Sequence, residues 1–143
     1  MKKITLLFIA IITFLFNSCS SDDSNDVKKV LPEKFDIKID VKGSAGSIYK
    51  THISINGFGG KEWKYIDFPF EGSYTYYTTG NEINNTACKC ITISAWAYID
   101  EQYKIESFNL YVDGKLVDTT NKVAPTDKDG FIAPTTLEFV YTP

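Results

Sequence analysis

Arginine is absent from this chain of 143 residues, and histidine occurs once, as His52. The fifteen basic residues are therefore all lysines, scattered among eighteen acids, for a formal net charge of −3. An acidic chain without a basic block lacks the electrostatic footprint of a nucleic-acid binder, so no nucleic-acid partner is expected. One histidine cannot build the usual multi-histidine metal site, and no serine stands on a Gly-x-Ser-x-Gly elbow. His52 is read as a surface residue, and an enzyme, a metal and a cofactor are not expected. Long hydrophobic runs are equally scarce. The only one, Ile4 to Phe16, has about 13 residues, where a bilayer span needs about 20. Nor does any stretch show a sustained helical period.

That single apolar run has a clear context. Lys2 and Lys3 precede it, and the small residue Ser18 and then Cys19 follow it. A basic start, an apolar centre of roughly 7–15 residues and a small residue at the cut make a signal peptide, here residues 1–18. Removing them deletes two lysines and no acid, which takes the net charge from −3 to −5. About 125 residues then remain, enough for one domain with an ordinary core. The first of them, "CSSDDSNDVKKVLPEK" (19–34), are polar, charged and without period, and read as a flexible acidic tether.

The segment "FLFNSCSSDD" resembles the signal and start of Bacteroidetes surface lipoproteins. Phe16 and Asn17 depart from the usual lipobox, with Leu15 one place early. The resemblance implies that the Cys19 thiol carries a diacylglycerol and that the new amine is acylated, palmitate being a typical chain. It also implies that Ser21, Asp22 and Asp23 form an export signal to the outer face of the outer membrane. Burying acyl chains yields about 0.8 kcal/mol per CH₂, so two or three chains hold a protein firmly. The expected address is the outer membrane, lipid-anchored through Cys19 and facing the cell exterior.

From Phe35 onward the sequence period is two. "FDIKIDVK" sets Phe35, Ile37, Ile39 and Val41 on one face and charges on the other, a half-buried strand. "YKTHISIN" repeats the device, with Tyr49, Thr51, Ile53 and Ile55 expected inward. Further strands are read at "KEWKYIDF", "SYTYYTT", "CKCITISAWAYI", "YKIESFNLYV", "KLVDTT" and "TTLEFVYT". Pro69 ends the third, since proline cannot donate to a central ladder. The apolar phase slips between Ile105 and Phe108, which predicts a β-bulge near Ser107. "DGK" (113–115) is a tight hairpin signal, so "KLVDTT" should pair directly with the strand before it. Trp96 and Tyr98, placed on one face with Cys88 and Cys90, predict a central strand covered on both sides. Seven or eight short strands with regular turns give an all-β, immunoglobulin-like antiparallel β-sandwich over residues 35–143. The Cys–Trp–Cys hallmark of true immunoglobulin domains is missing.

Four details of this stretch resemble small Bacteroidetes lipoproteins related to the MmpS-type accessory proteins of mycobacteria. They are Val41 to Ser44, Gly59-Gly60, Pro69-Phe70 and Tyr111 to Lys115. The resemblance implies the same sandwich and, from the mycobacterial proteins, a role beside an envelope transporter.

Candidate chemistry is sparse. Cys88 and Cys90 flank Lys89 in a compartment that favours disulfides. Residues two apart in a regular strand are about 6.6 Å from each other, too far for a bridge with Cβ atoms about 3.8 Å apart unless the chain bends. A local disulfide, two thiols and a metal pair stay open. Asp127 and Asp129 before Gly130 resemble part of a calcium loop, but the distal glutamate is not at the required spacing, and an acidic turn is expected. Asp118-Thr119-Thr120 resembles the Bacteroidetes O-glycosylation motif, with Thr119 as acceptor. Trp63 and Trp96, with several tyrosines, would stack on sugars if they faced solvent, or pack in the core if they did not. The expectation is thus a membrane-anchored lipoprotein with a non-catalytic interaction or structural module and an unidentified protein or glycan partner. A carbohydrate-binding accessory and a transporter subunit are the alternatives.

Overall fold

The computed structural model describes residues 30–44 and 46–143. Cys19, Ser21, Asp22 and Asp23 lie outside the described residues, as do the expected signal peptide and most of the expected tether. Among the described residues, eight strands form: β1 (Lys34–Ser44), β2 (Ser47–Ile55), β3 (Glu62–Asp67), β4 (Phe70–Tyr77), β5 (Ile91–Tyr98), β6 (Lys104–Val112), β7 (Lys115–Thr120) and β8 (Thr135–Tyr141). A single helical turn, α1 (Asn81–Asn84), lies between β4 and β5. The strands make two four-stranded antiparallel sheets, ordered β4-β1-β6-β7 and β3-β2-β5-β8. The expected all-β antiparallel sandwich is what the chain forms, at the upper strand count. It shares with immunoglobulin domains the packing of two sheets face to face. Five of the seven connections pass between sheets, and only β2–β3 and β6–β7 are hairpins within one.

Alternation builds the core. Phe35, Ile37, Ile39 and Val41 of β1 point inward and are buried, against Ile91, Ile93, Ala95 and Ala97 of β5 in the other sheet's contribution to the same cluster. Each fully buried Ile or Phe side chain contributes about 1.5–3 kcal/mol of transfer free energy. The slip in β6 is a bulge: Lys42 pairs with Ser107 but Gly43 pairs with Ile105, so Glu106 has no partner. The extra residue lets Ile105 and Phe108, three apart, both turn to the core. Gly43 sits at this bulge because a Cβ there would lie 2.6 Å from the Lys104 carbonyl oxygen. Asp113 and Gly114, with φ of 49° and 75°, close β6–β7 as a two-residue hairpin. Between the sheets, the Glu138 amide donates to Asp118 Oδ2 at 2.9 Å and joins β8 to β7.

The chain enters at one end of the sandwich. Tyr141 Oη donates to the Val30 carbonyl, Thr78 Oγ1 to that of Pro32, and the Thr78 amide to that of Glu33. From Lys34, the 11 residues of β1 carry the chain about 33 Å to the opposite end, where β2 begins and β5 finishes.

Two expectations need correction. β5 starts at Ile91, so Cys88 and Cys90 belong to the turn before it and share no strand face with Trp96. Tyr49 does not point inward: it is 59% exposed, while Ile48 is buried in its place. Opposite it in β3 stands Tyr65 with a left-handed φ of 52°, a local distortion that alternation alone does not reveal.

Candidate functional site

At the end remote from chain entry, the second sheet carries a row of rings. In β2 and β5, Lys50 pairs with Tyr98 and His52 with Trp96, so all four side chains rise on the outer face. Tyr65 meets Tyr49 edge to face with centroids 5.4 Å apart, Tyr49 meets Tyr98 at 6.4 Å, and Tyr98 meets Trp96 at 5.3 Å. His52 completes the row, stacked on Trp96 at 4.6 Å with planes 16° apart. Edge-to-face pairs of this kind contribute about 0.5–1.5 kcal/mol beyond area burial. The outer face of β5 is thus half-covered by its own aromatic neighbours rather than by another layer.

Lys50 sits among these rings, its ammonium 5.3 Å from the Trp96 ring centre and ion-paired with Glu62. Burial, and then the Lys50 charge, hold the His52 imidazole below its ordinary 6.5. Its Nδ1 is buried without a hydrogen-bond partner.

The loop between β7 and β8 closes the site. Asp127 Oδ1 accepts from the amides of Asp129 and Phe131 at 2.9 and 2.8 Å, and the Asp127 amide donates to the Phe131 carbonyl. The Thr126 amide donates to Glu101 Oε1 at 2.6 Å. The "PTDKDGF" stretch is therefore an acidic turn that spends its aspartate on its own backbone. Its product is Phe131, held 72% exposed. Between Phe131, Ile132 and Gly130 on one side and Tyr49, Lys50 and Tyr98 on the other lies a groove of about 370 Å³.

The other sequence candidates lie elsewhere. Trp63 pairs with Thr51 on the inner side of β3 and packs edge to face on Phe70, so it belongs to the core margin. Trp96 faces out, but His52 lies against its ring. Thr119 is exposed on β7, its hydroxyl donating to Asn109 Oδ1 at 2.6 Å. Cys88 and Cys90 are disulfide-bonded with Cα atoms 5.2 Å apart, and the bend between them is Lys89 at φ 51°. Among the described residues, no group of three or more His, Cys, Asp or Glu is placed to hold a metal ion.

Sequence reasoning missed two polar anchors beneath this architecture. Glu82, fully buried in α1, accepts from Tyr76 Oη, the Thr79 amide and Thr79 Oγ1. The Asn81 amide donates back to Thr79 Oγ1. Thr79-x-x-Glu82 is a capping-box pattern, a signal the sequence did contain. Burial raises the Glu82 pKa, but the hydrogen bonds from Tyr76 and Thr79 and the local backbone outweigh it and leave the carboxyl below its ordinary 4.5. Asn56, at φ 44°, donates to the carbonyls of Glu82 and Cys90 and accepts from the Thr92 amide, tying the β2–β3 turn to the start of β5.

What the fold defines is an all-β sandwich domain with an aromatic row on one sheet. No protein-family model matches this chain, and no curated protein matches it.

Proposed function

We propose that this protein is a lipoprotein, acylated at Cys19, that displays a non-catalytic sandwich as an interaction module at the outer face of the outer membrane. The observation that carries the reading is the placement of exposed aromatics. Tyr65, 73% exposed, Tyr49 and Phe131 gather at the end of the sandwich farthest from chain entry. A domain held by its N-terminus would present that end away from the membrane. Strands and a self-bonded turn hold the rings, so a partner meets a preorganised surface and loses little ordering entropy on binding. His52 supports a non-catalytic role: stacked on Trp96, kept neutral, and with Nδ1 unpartnered, it has no orienting acid of the kind a general base requires.

The test has two arms. Radiolabelled palmitate should enter the protein and be lost in Cys19→Ala; replacing both Asp22 and Asp23 with alanine should keep the label and reduce protease accessibility on whole cells. A photo-crosslinking amino acid at position 65 should form an adduct on intact cells that disappears with Phe131→Ala. Folded, anchored protein that forms no such adduct would remove the interaction reading.

A further inference from the structure

We infer that the groove between Tyr49, Tyr98 and Phe131 binds a neutral glycan, a ligand of roughly one or two pyranose rings. This rests on the interaction-module reading and names the occupant of that surface. A pyranose has a flat C–H face and a rim of hydroxyls, and the groove offers both complements. Its walls are aromatic and accessible: Tyr49 and Phe131 each leave more than half their surface to solvent. Because the neighbouring rings meet on edge, the row is divided into separate facets instead of one continuous apolar sheet.

The floor is polar. Lys50 lines the groove, and phenol hydroxyls belong to Tyr49 and Tyr98 on its wall. An apolar occupant would strip water from these polar groups and give no hydrogen bonds in return. Sugar hydroxyls both donate and accept, so they can replace the lost water. The ligand's charge follows from the same residue. Among the described residues lining the groove, Lys50 is the one charged side chain, and Glu62 already neutralises it. An acidic sugar would compete with Glu62 for that cation, whereas a neutral one leaves the pair intact.

Rigidity makes the site usable. The backbone of Phe131 is fixed by its bonds to Asp127, and the isolated bridge of Thr126 with Ile132 closes the same loop. The opposite wall consists of β2 and β5, two inner strands of their sheet. Little backbone freedom remains to be lost when a weakly binding, hydrated ligand enters.

The experiment uses the full lipidated chain in a detergent without a sugar headgroup. Malto-, cello-, xylo- and manno-oligosaccharides are screened by saturation-transfer NMR, with oligogalacturonate as the acidic control. At least one neutral series should bind, and its titration should move the resonances of Tyr49, Tyr98 and Phe131 in the unmutated protein. Tyr49→Ala and Phe131→Ala should each weaken binding at least tenfold, while Tyr77→Ala, an exposed aromatic outside the groove, should not. No transfer to any neutral sugar at millimolar concentration would overturn the proposal, as would binding indifferent to both groove variants or a preference for oligogalacturonate. A Phe131-dependent protein adduct at position 65 together with no sugar binding would refute the glycan and leave the interaction surface standing. Loss of both would remove the two readings together.

Discussion

His52 lies flat against Trp96 across the β2–β5 ladder, ring centroids 4.6 Å apart, with the Lys50 ammonium beside the same indole. An imidazolium there would be partly desolvated and would face a like charge. The neutral ring is therefore preferred, and its ordinary value of 6.5 is lowered, first by burial and then by Lys50. In an NMR titration His52 should still be mostly neutral at pH 6.5. Lys50→Met should raise its midpoint only in part, because burial remains. The unfolded chain takes up this proton at higher pH than the folded one, so His52 contributes stability that is full above about 6.5 and declines as pH falls through the folded midpoint. A midpoint at or above 6.5 would show that burial and the Lys50 charge do not govern this imidazole.

Glu82 predicts a second pH effect, in a lower window. Its folded pKa is depressed below 4.5 by donors from Tyr76 and Thr79. Its contribution is present above the unfolded value and is lost as pH drops through the folded one. Denaturant midpoints should fall below about pH 4.5 in the wild type and fall less steeply in Glu82→Gln. The variant should be less stable at pH 7, by about 1–3 kcal/mol, since a buried charge-assisted network is replaced by a neutral amide.

The two adjacent glycines after β2 should behave differently. A Cβ on Gly60 would sit 1.6 Å from the Ile53 carbonyl oxygen, whereas one on Gly59 meets nothing within 4 Å. Gly60→Ala should destabilise by about 3 kcal/mol or more, because backbone must move. Gly59→Ala should be within about 0.5 kcal/mol of the wild type. Thermal midpoints of the two variants decide the matter, and equal shifts would show that the close approach at Gly60 does not exist.

The Cys88–Cys90 pair is open to mass spectrometry. The unreduced protein should weigh two hydrogens less than the reduced one. A ring of three residues closes little chain entropy, about 1.6 kcal/mol by the loop relation, so Cys88→Ser with Cys90→Ser should cost no more than that order. An unchanged mass on reduction would return the pair to two thiols.

Much of this fold was legible because its core strands alternate cleanly. Phe35 to Val41 and Ile91 to Ala97 state their inner faces outright, and the slip between Ile105 and Phe108 located the bulge. Asp113-Gly114 specified its own turn. The candidate site was far less legible. It depends on Tyr49 facing out, against its parity, opposite a tyrosine in a left-handed conformation. It depends also on Phe131, which sits in a loop with no period and reaches Tyr49 only through the sandwich topology. The sequence leaves the tryptophans undecided for a related reason: Trp63 lies in a strand whose alternation is weak, and only pairing with Thr51 shows that it turns inward.

β1 is an inner strand, flanked on both sides by antiparallel partners, and it is also the strand into which the N-terminal segment leads. A pull between that segment and the far aromatic end runs along β1 and along its ladders to β4 and β6. Hydrogen bonds loaded in this direction are sheared together instead of being peeled one after another. If the chain is anchored through Cys19 as proposed, the domain is built to resist traction from that side, and the last place it should yield is β1.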